Sequence, residues 1–199
     1  MTDLADRWPL GEDLTAVRDE LLAAYGTGRG YHDLRHLAEV LDRIEELSTA
    51  GEAFDREEVT LAAWFHDAVY DGHDGAEGRS AQWAERTLAG RPEAAEVARL
   101  VRLTESHRPA GDDANGCVLS DADLAILAAP ARRYGEYVAD VRQEYAHVPD
   151  ELFRPGRAAI LRDLLAKAAL FHTAHARKHW EPAARANVEA ELDRHSPPQ

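Results

Sequence analysis

The 199-residue chain carries 37 acidic against 23 basic side chains, a net charge of −14, and 45% hydrophobic residues, enough apolar content for a packed core. That acidity excludes a broad electrostatic grip on long nucleic acid, although a metal ion could still invert the field of one pocket for a small phosphorylated ligand. No run approaches the roughly 20 apolar residues of a bilayer span; Cys117 is the single cysteine, and MTDLADRWPLGEDL lacks a signal-peptide pattern. The expected location is therefore cytoplasmic, without membrane contact.

In chain order, Leu14, Val17, Leu21, Leu22 and Tyr25 recur at helical spacing until Gly26-Thr27-Gly28 breaks the pattern. Leu34, Leu37, Ala38, Leu41, Ile44 and Leu47 form one face of a second helix. A third helix is expected from Asp55, an N-cap with Glu58 three residues on, to Tyr70, where Asp71-Gly72 ends it. Further helices fit 77–89, 92–105, 122–128, 131–147, 157–177 and 181–194, while 108–116 reads as a loop. No alternation of period two occurs. The expected fold is all-α, a single helical domain of roughly eight or nine helices with its core over about 12–195 and a disordered tail at 196–199.

Within AAWFHDAVYDG, His66 and Asp67 stand side by side in an apolar run, and burying such groups costs several kcal/mol unless each finds a partner. Neighbours about 100° apart on a helix can reach one point beside it. The plainer alternative is a buried, hydrogen-bonded histidine with Asp67 in solvent. His36 falls in line with Val40 and Leu47 at a packed junction, with His32 one turn earlier, either beside it or at a surface helix entry. In VLSDADLAIL, Asp121 and Asp123 sit among apolar residues, and a helix cap at Ser120 or Asp121 explains one acid well and the second poorly. His172, His175 and His179, at spacings of three and four, share a helical face compatible with metal binding or with packing at the core edge.

His36, then His66-Asp67, then an aspartate of SDADL gives the order H…HD…D, which resembles the HD-domain superfamily of metal-dependent phosphohydrolases. More narrowly, the chain is similar to a bacterial branch of predicted HD-type phosphohydrolases. The blocks carrying the likeness are RGYHDLRH, WFHDAVYD, EGRSA, TESH, SDADLAIL and EPAARANVEAEL, in order along most of the chain. It departs from that branch at Ala76, where asparagine is usual, and at Ala128, where glycine is usual.

The resemblance implies an HD-type domain whose metal ligands are His36, His66, Asp67 and one acid of the DAD triplet. Asp123 is expected, since the superfamily's last ligand follows a small residue and opens a helix; Asp121 is the reserve. It further implies catalytic roles for Asp67, Glu77 and His107, and substrate contacts from His32, Arg29 and Arg35. For Glu77 the alternative is favourable charge at a helix start, for His107 a helix end, and for the arginines an ordinary surface position.

Two imidazoles and two carboxylates suit one divalent ion (Mn, Fe, Co, Ni, Zn or Mg), with room for a second. The implied reaction is hydrolysis of a phosphoester or phosphoanhydride in a small metabolite or nucleotide by metal-activated water. No P-loop, nucleophile elbow or usable cysteine nucleophile offers another route. Two rivals stand beside it: a catalytically silent HD domain binding a nucleotide or signalling ligand, and a metal-free helical interaction module. Substrate identity, metal and oligomeric state are left open by the sequence.

Overall fold

Ten α-helices and two 3-10 turns, with no strand among the described residues, make up the computed structural model, which describes residues 3–73 and 75–195. None of these helices is long and apolar enough to cross a membrane. The chain divides into two compact units, Met1–Asp123 and Leu124–Gln199. No Gly- or Ser-rich linker marks that division, so composition gives no sign of it. The expected disordered tail, 196–199, lies outside the described residues.

In the first unit, a 3-10 turn at Leu4–Arg7 precedes α1 (Thr15–Tyr25), α2 (Leu34–Thr49), α3 (Arg56–Phe65), α4 (Ala76–Thr87), α5 (Ala94–Leu103) and α6 (Ala114–Leu124). Helix α3 packs against α2, α4 and α5 and is apolar nearly all round, burying Val59 and the run Leu61 to Phe65. Full burial of a side chain such as Phe65 stabilises by roughly 1.5–3 kcal/mol. Asp55 caps α3 by accepting from the Glu58 N–H at 3.0 Å, as its sequence position indicates. Asp55→Ala is expected to lower stability by about 1 kcal/mol, measured by urea denaturation; an unchanged midpoint would show that the cap contributes nothing.

Helix α3 ends at Phe65 and not at Tyr70. A continuing α-helix would bond the Asp67 N–H to the Ala63 carbonyl. Instead, His66 Nδ1 takes the Ala63 carbonyl at 2.7 Å, and the Tyr25 hydroxyl oxygen accepts from the Asp67 N–H at 3.2 Å. Side chains thus replace the helical bond, and residues 66–70 leave the helix without any glycine or proline.

Helix α6 starts eight residues before the expected 122: residues 108–113 are the non-helical stretch expected there, but 114–116 already form the first turn of the helix, with Asp113 capping it. Asp113 accepts from the Gly116 N–H at 2.9 Å, and Arg99 grips the same carboxylate at 2.7 and 2.9 Å. Gly116 is needed there, since a Cβ would lie 2.7 Å from a Leu103 methyl and nearer still to the Asp113 carboxylate.

The second unit runs from a 3-10 turn at Ala125–Ala128 through α7 (Ala131–Glu144), α8 (Asp150–Ala166), α9 (Ala174–His179) and α10 (Glu181–His195). The helix expected over 157–177 is in fact two. Lys167 is extended where α8 ends, and Thr173 caps α9 by accepting from the Ala176 N–H at 3.2 Å. Helix α8 begins at Asp150 and not at 157, and it holds Pro155 in its interior. Between α7, α8 and α10, the buried Glu191 carboxylate accepts from Tyr134 Oη and from Arg157 Nε at 2.7 Å, while Arg157 also donates to Tyr137 Oη at 2.9 Å.

Candidate metal centre

Three segments of the first unit bring their side chains together. Asp33 caps α2 by accepting from the N–H groups of Arg35 and His36, at 2.8 and 3.1 Å, which fixes the turn carrying His36. The turn after α3 supplies His66 and Asp67. Helix α6 supplies Asp123 from its last turn, not from a helix start as the resemblance implies.

His36 Nε2 lies 3.0 Å from His66 Nε2, and Asp67 Oδ2 lies 3.3 and 3.0 Å from those two nitrogens. Asp123 Oδ1 joins at 3.2 and 3.7 Å. Both imidazoles are 1% exposed and the two carboxylates 13% and 14%, so the cluster is nearly dry. Asp67 Oδ2 is close to both nitrogens yet makes no hydrogen bond, and His36 Nδ1 also lacks a partner. Contact without hydrogen-bond alignment is what donors around a common centre give.

The donor atoms of His36, His66 and Asp67 all lie within 4.8 Å of one another, a spacing that could hold a divalent ion. Bonds near ~2.1 Å at right angles separate adjacent donors by about 3.0 Å, close to the observed spacing. The Ala63 carbonyl can only accept, so the neutral His66 carries its proton on Nδ1 and turns the Nε2 lone pair into the cluster. Two carboxylates also match a double positive charge.

Electrostatics point the same way. Burial alone would lower the His36 pKa, but Asp123 and Asp67 overcome it and lift the imidazole to about 10. His66 is raised against burial chiefly by the charge of Asp67, then by Asp123. Burial opposes ionisation of Asp67 and Asp123, yet the neighbouring imidazoles hold both carboxyls well below their usual range. The centre of the cluster therefore favours positive charge.

His107 reaches the edge of the cluster, its Nε2 3.5 Å from Asp123 Oδ2 and its Nδ1 3.3 Å from Ser120 Oγ. It also follows α5 in a left-handed conformation, φ 49°. His32 stacks on Tyr70 with ring centroids 4.1 Å apart and stands 5.5 Å, centroid to centroid, from His36. Arg35, half exposed, pairs with Glu39 at 3.3 Å. Glu77 stands in the first turn of α4.

Arg29 donates to the carbonyls of His32, Asp67 and Ala68 at 2.9, 2.7 and 3.0 Å. Asp121 is buried two positions from Asp123 and so on another face of α6. His172 precedes α9, so His172, His175 and His179 do not share one helical face; His175 and His179 remain neighbours at 4.6 Å.

Tyr25, Ser120 and the Ala63 carbonyl are site components that sequence reading misses. Tyr25 carries only the signal of a core position, yet its hydroxyl also lies 3.4 Å from His66 Nδ1. Burial pushes its phenol pKa well up, with Asp67 adding to the rise, so it stays protonated. No protein-family model, curated protein or solved structure matches the chain.

Proposed function

We propose that the first unit is a metal-dependent phosphohydrolase of HD-domain type, with His36, His66, Asp67 and Asp123 holding one divalent cation. The observation that carries this reading is the convergence of two imidazole nitrogens and two carboxylate oxygens, 3.0–3.7 Å apart across the nitrogens, in a nearly dry site. When bound, such an ion supplies Lewis acidity for the attack of water on phosphorus. The residues around it do the rest. His66 keeps its proton on Nδ1 through the Ala63 carbonyl, and Asp67 and Asp123 supply the negative charge that retains the cation. His107, tethered by Ser120, is placed to hold or deliver a proton beside Asp123. The substrate is a small phosphoester or phosphoanhydride in this reading, with His32 and Tyr70 forming an aromatic wall.

The test is metal content of untagged protein by mass spectrometry, followed by a phosphoester and nucleotide panel with Mn²⁺, Co²⁺ and Zn²⁺. One equivalent of metal with turnover is the expected result. Metal without turnover on any substrate would favour a silent binding domain, and a chain that refuses added cations would overturn the metal reading.

A further inference from the structure

Asp67 sits outside any helix, yet both halves of its backbone are held by side chains from elsewhere in the sequence. Its N–H donates to Tyr25 Oη at 3.2 Å, and its carbonyl accepts from an Arg29 terminal nitrogen at 2.7 Å. The same nitrogen reaches the His32 carbonyl, and the other terminal nitrogen reaches Ala68 O at 3.0 Å. The two side chains also support each other, since the Arg29 guanidinium lies over the Tyr25 ring, 4.8 Å from its centroid. Tyr70, at the far end of the turn, lies within 5.9 Å of the same cation.

A carboxylate on a free turn would sample several orientations, and a cluster whose donors stand 3.0–3.3 Å apart does not tolerate that. Arg29 commits three of its five N–H donors to backbone carbonyls, so its fork is occupied where a phosphate clamp would need it open. We infer that Arg29 and Tyr25 form a clamp on the Asp67 peptide that positions its carboxylate for the cation, and that Arg29 is a positioning residue rather than a phosphate ligand. The inference rests on the metal reading for its consequence, but the clamp itself can be measured without metal.

Arg29→Gln, Arg29→Lys and Tyr25→Phe separate the possibilities. In metal-free protein, hydrogen exchange over residues 66–71 should rise at least about tenfold in Arg29→Gln and Tyr25→Phe, while peptides from α10 stay unchanged. Co²⁺ affinity, read from its visible absorption, should fall about 10–100-fold in both, with partial recovery in Arg29→Lys. Affinity of the Co²⁺-saturated protein for inorganic phosphate should not change. Unchanged exchange over 66–71 would overturn the clamp. Unchanged Co²⁺ affinity, or a selective loss of phosphate affinity, would overturn the positioning role. Tyr25→Phe preserves the buried ring, so it decides the matter even if Arg29→Gln fails to fold. A wild type that ignores Co²⁺ would sink the metal reading, and the positioning role with it, while the exchange arm still reports on the clamp.

Discussion

Asp67→Ala is expected to abolish stoichiometric metal binding and to lower phosphoester turnover by at least about 100-fold, more than loss of an outer partner of a ligand costs. Its carboxylate contributes one of the two negative charges beside His36 and His66, and its Oδ2 has no hydrogen bond that would give it another task. Binding also registers in stability. A cation at about 100 times its dissociation constant stabilises the native state by about 2.7 kcal/mol, raising the melting temperature of a chain this size by about 5–10 °C. That rise should vanish in Asp67→Ala and in His66→Ala, and shrink in Asp67→Asn, which keeps the shape and removes the charge. Differential scanning calorimetry with and without Mn²⁺ measures it. If Asp67→Ala keeps the full metal-induced rise, the ion lies elsewhere and the assignment fails.

The physical origin of each feature explains how much of this site the sequence discloses. His66-Asp67 is conspicuous because an adjacent imidazole and carboxylate in an apolar run are expensive to bury without a partner. The end of α3 is not conspicuous, because tertiary hydrogen bonds from Tyr25 and His66 make it and local propensity does not. Tyr25 is hidden for the same reason: periodicity assigns its ring to the core, and nothing local says what its hydroxyl meets. Arg29 is visible as a cation, but only the folded chain shows that its fork is turned on carbonyls.

Residues 114–116 show the complementary error, since a capped first turn and a loop have the same composition. Helix α8 shows a third, because Pro155-Gly156 is a breaker by propensity and is tolerated in a helix packed against α10. The apolar periodicity itself conveyed the all-helical class and most helix centres. Helix ends set by distant partners are where it stops.

The second large effect is expected far from the cluster, at Glu191. This carboxylate is 1% exposed and Arg157 10%, and the pair is closed by Tyr134 and Tyr137. Replacing Glu191 by alanine leaves a guanidinium and a phenol facing one another without their acceptor, which should destabilise the second unit by about 3–5 kcal/mol. Replacing Glu191 and Arg157 together with apolar residues of similar volume should cost much less, because no charge is then stranded.

The pH dependence follows from the carboxyl. Burial would raise its pKa, but hydrogen bonding and charge from Arg157 prevail and hold it below the usual glutamate value. The unfolded chain therefore takes up the proton first as pH falls. The Glu191 contribution is complete above the unfolded value of about 4.3, and it is lost as pH drops through the lower folded one. Urea denaturation of wild type and Glu191→Gln should thus diverge most near neutral pH and converge in acid. A difference that stays constant down to pH 3 would mean that the pair contributes shape and no charge-dependent stability.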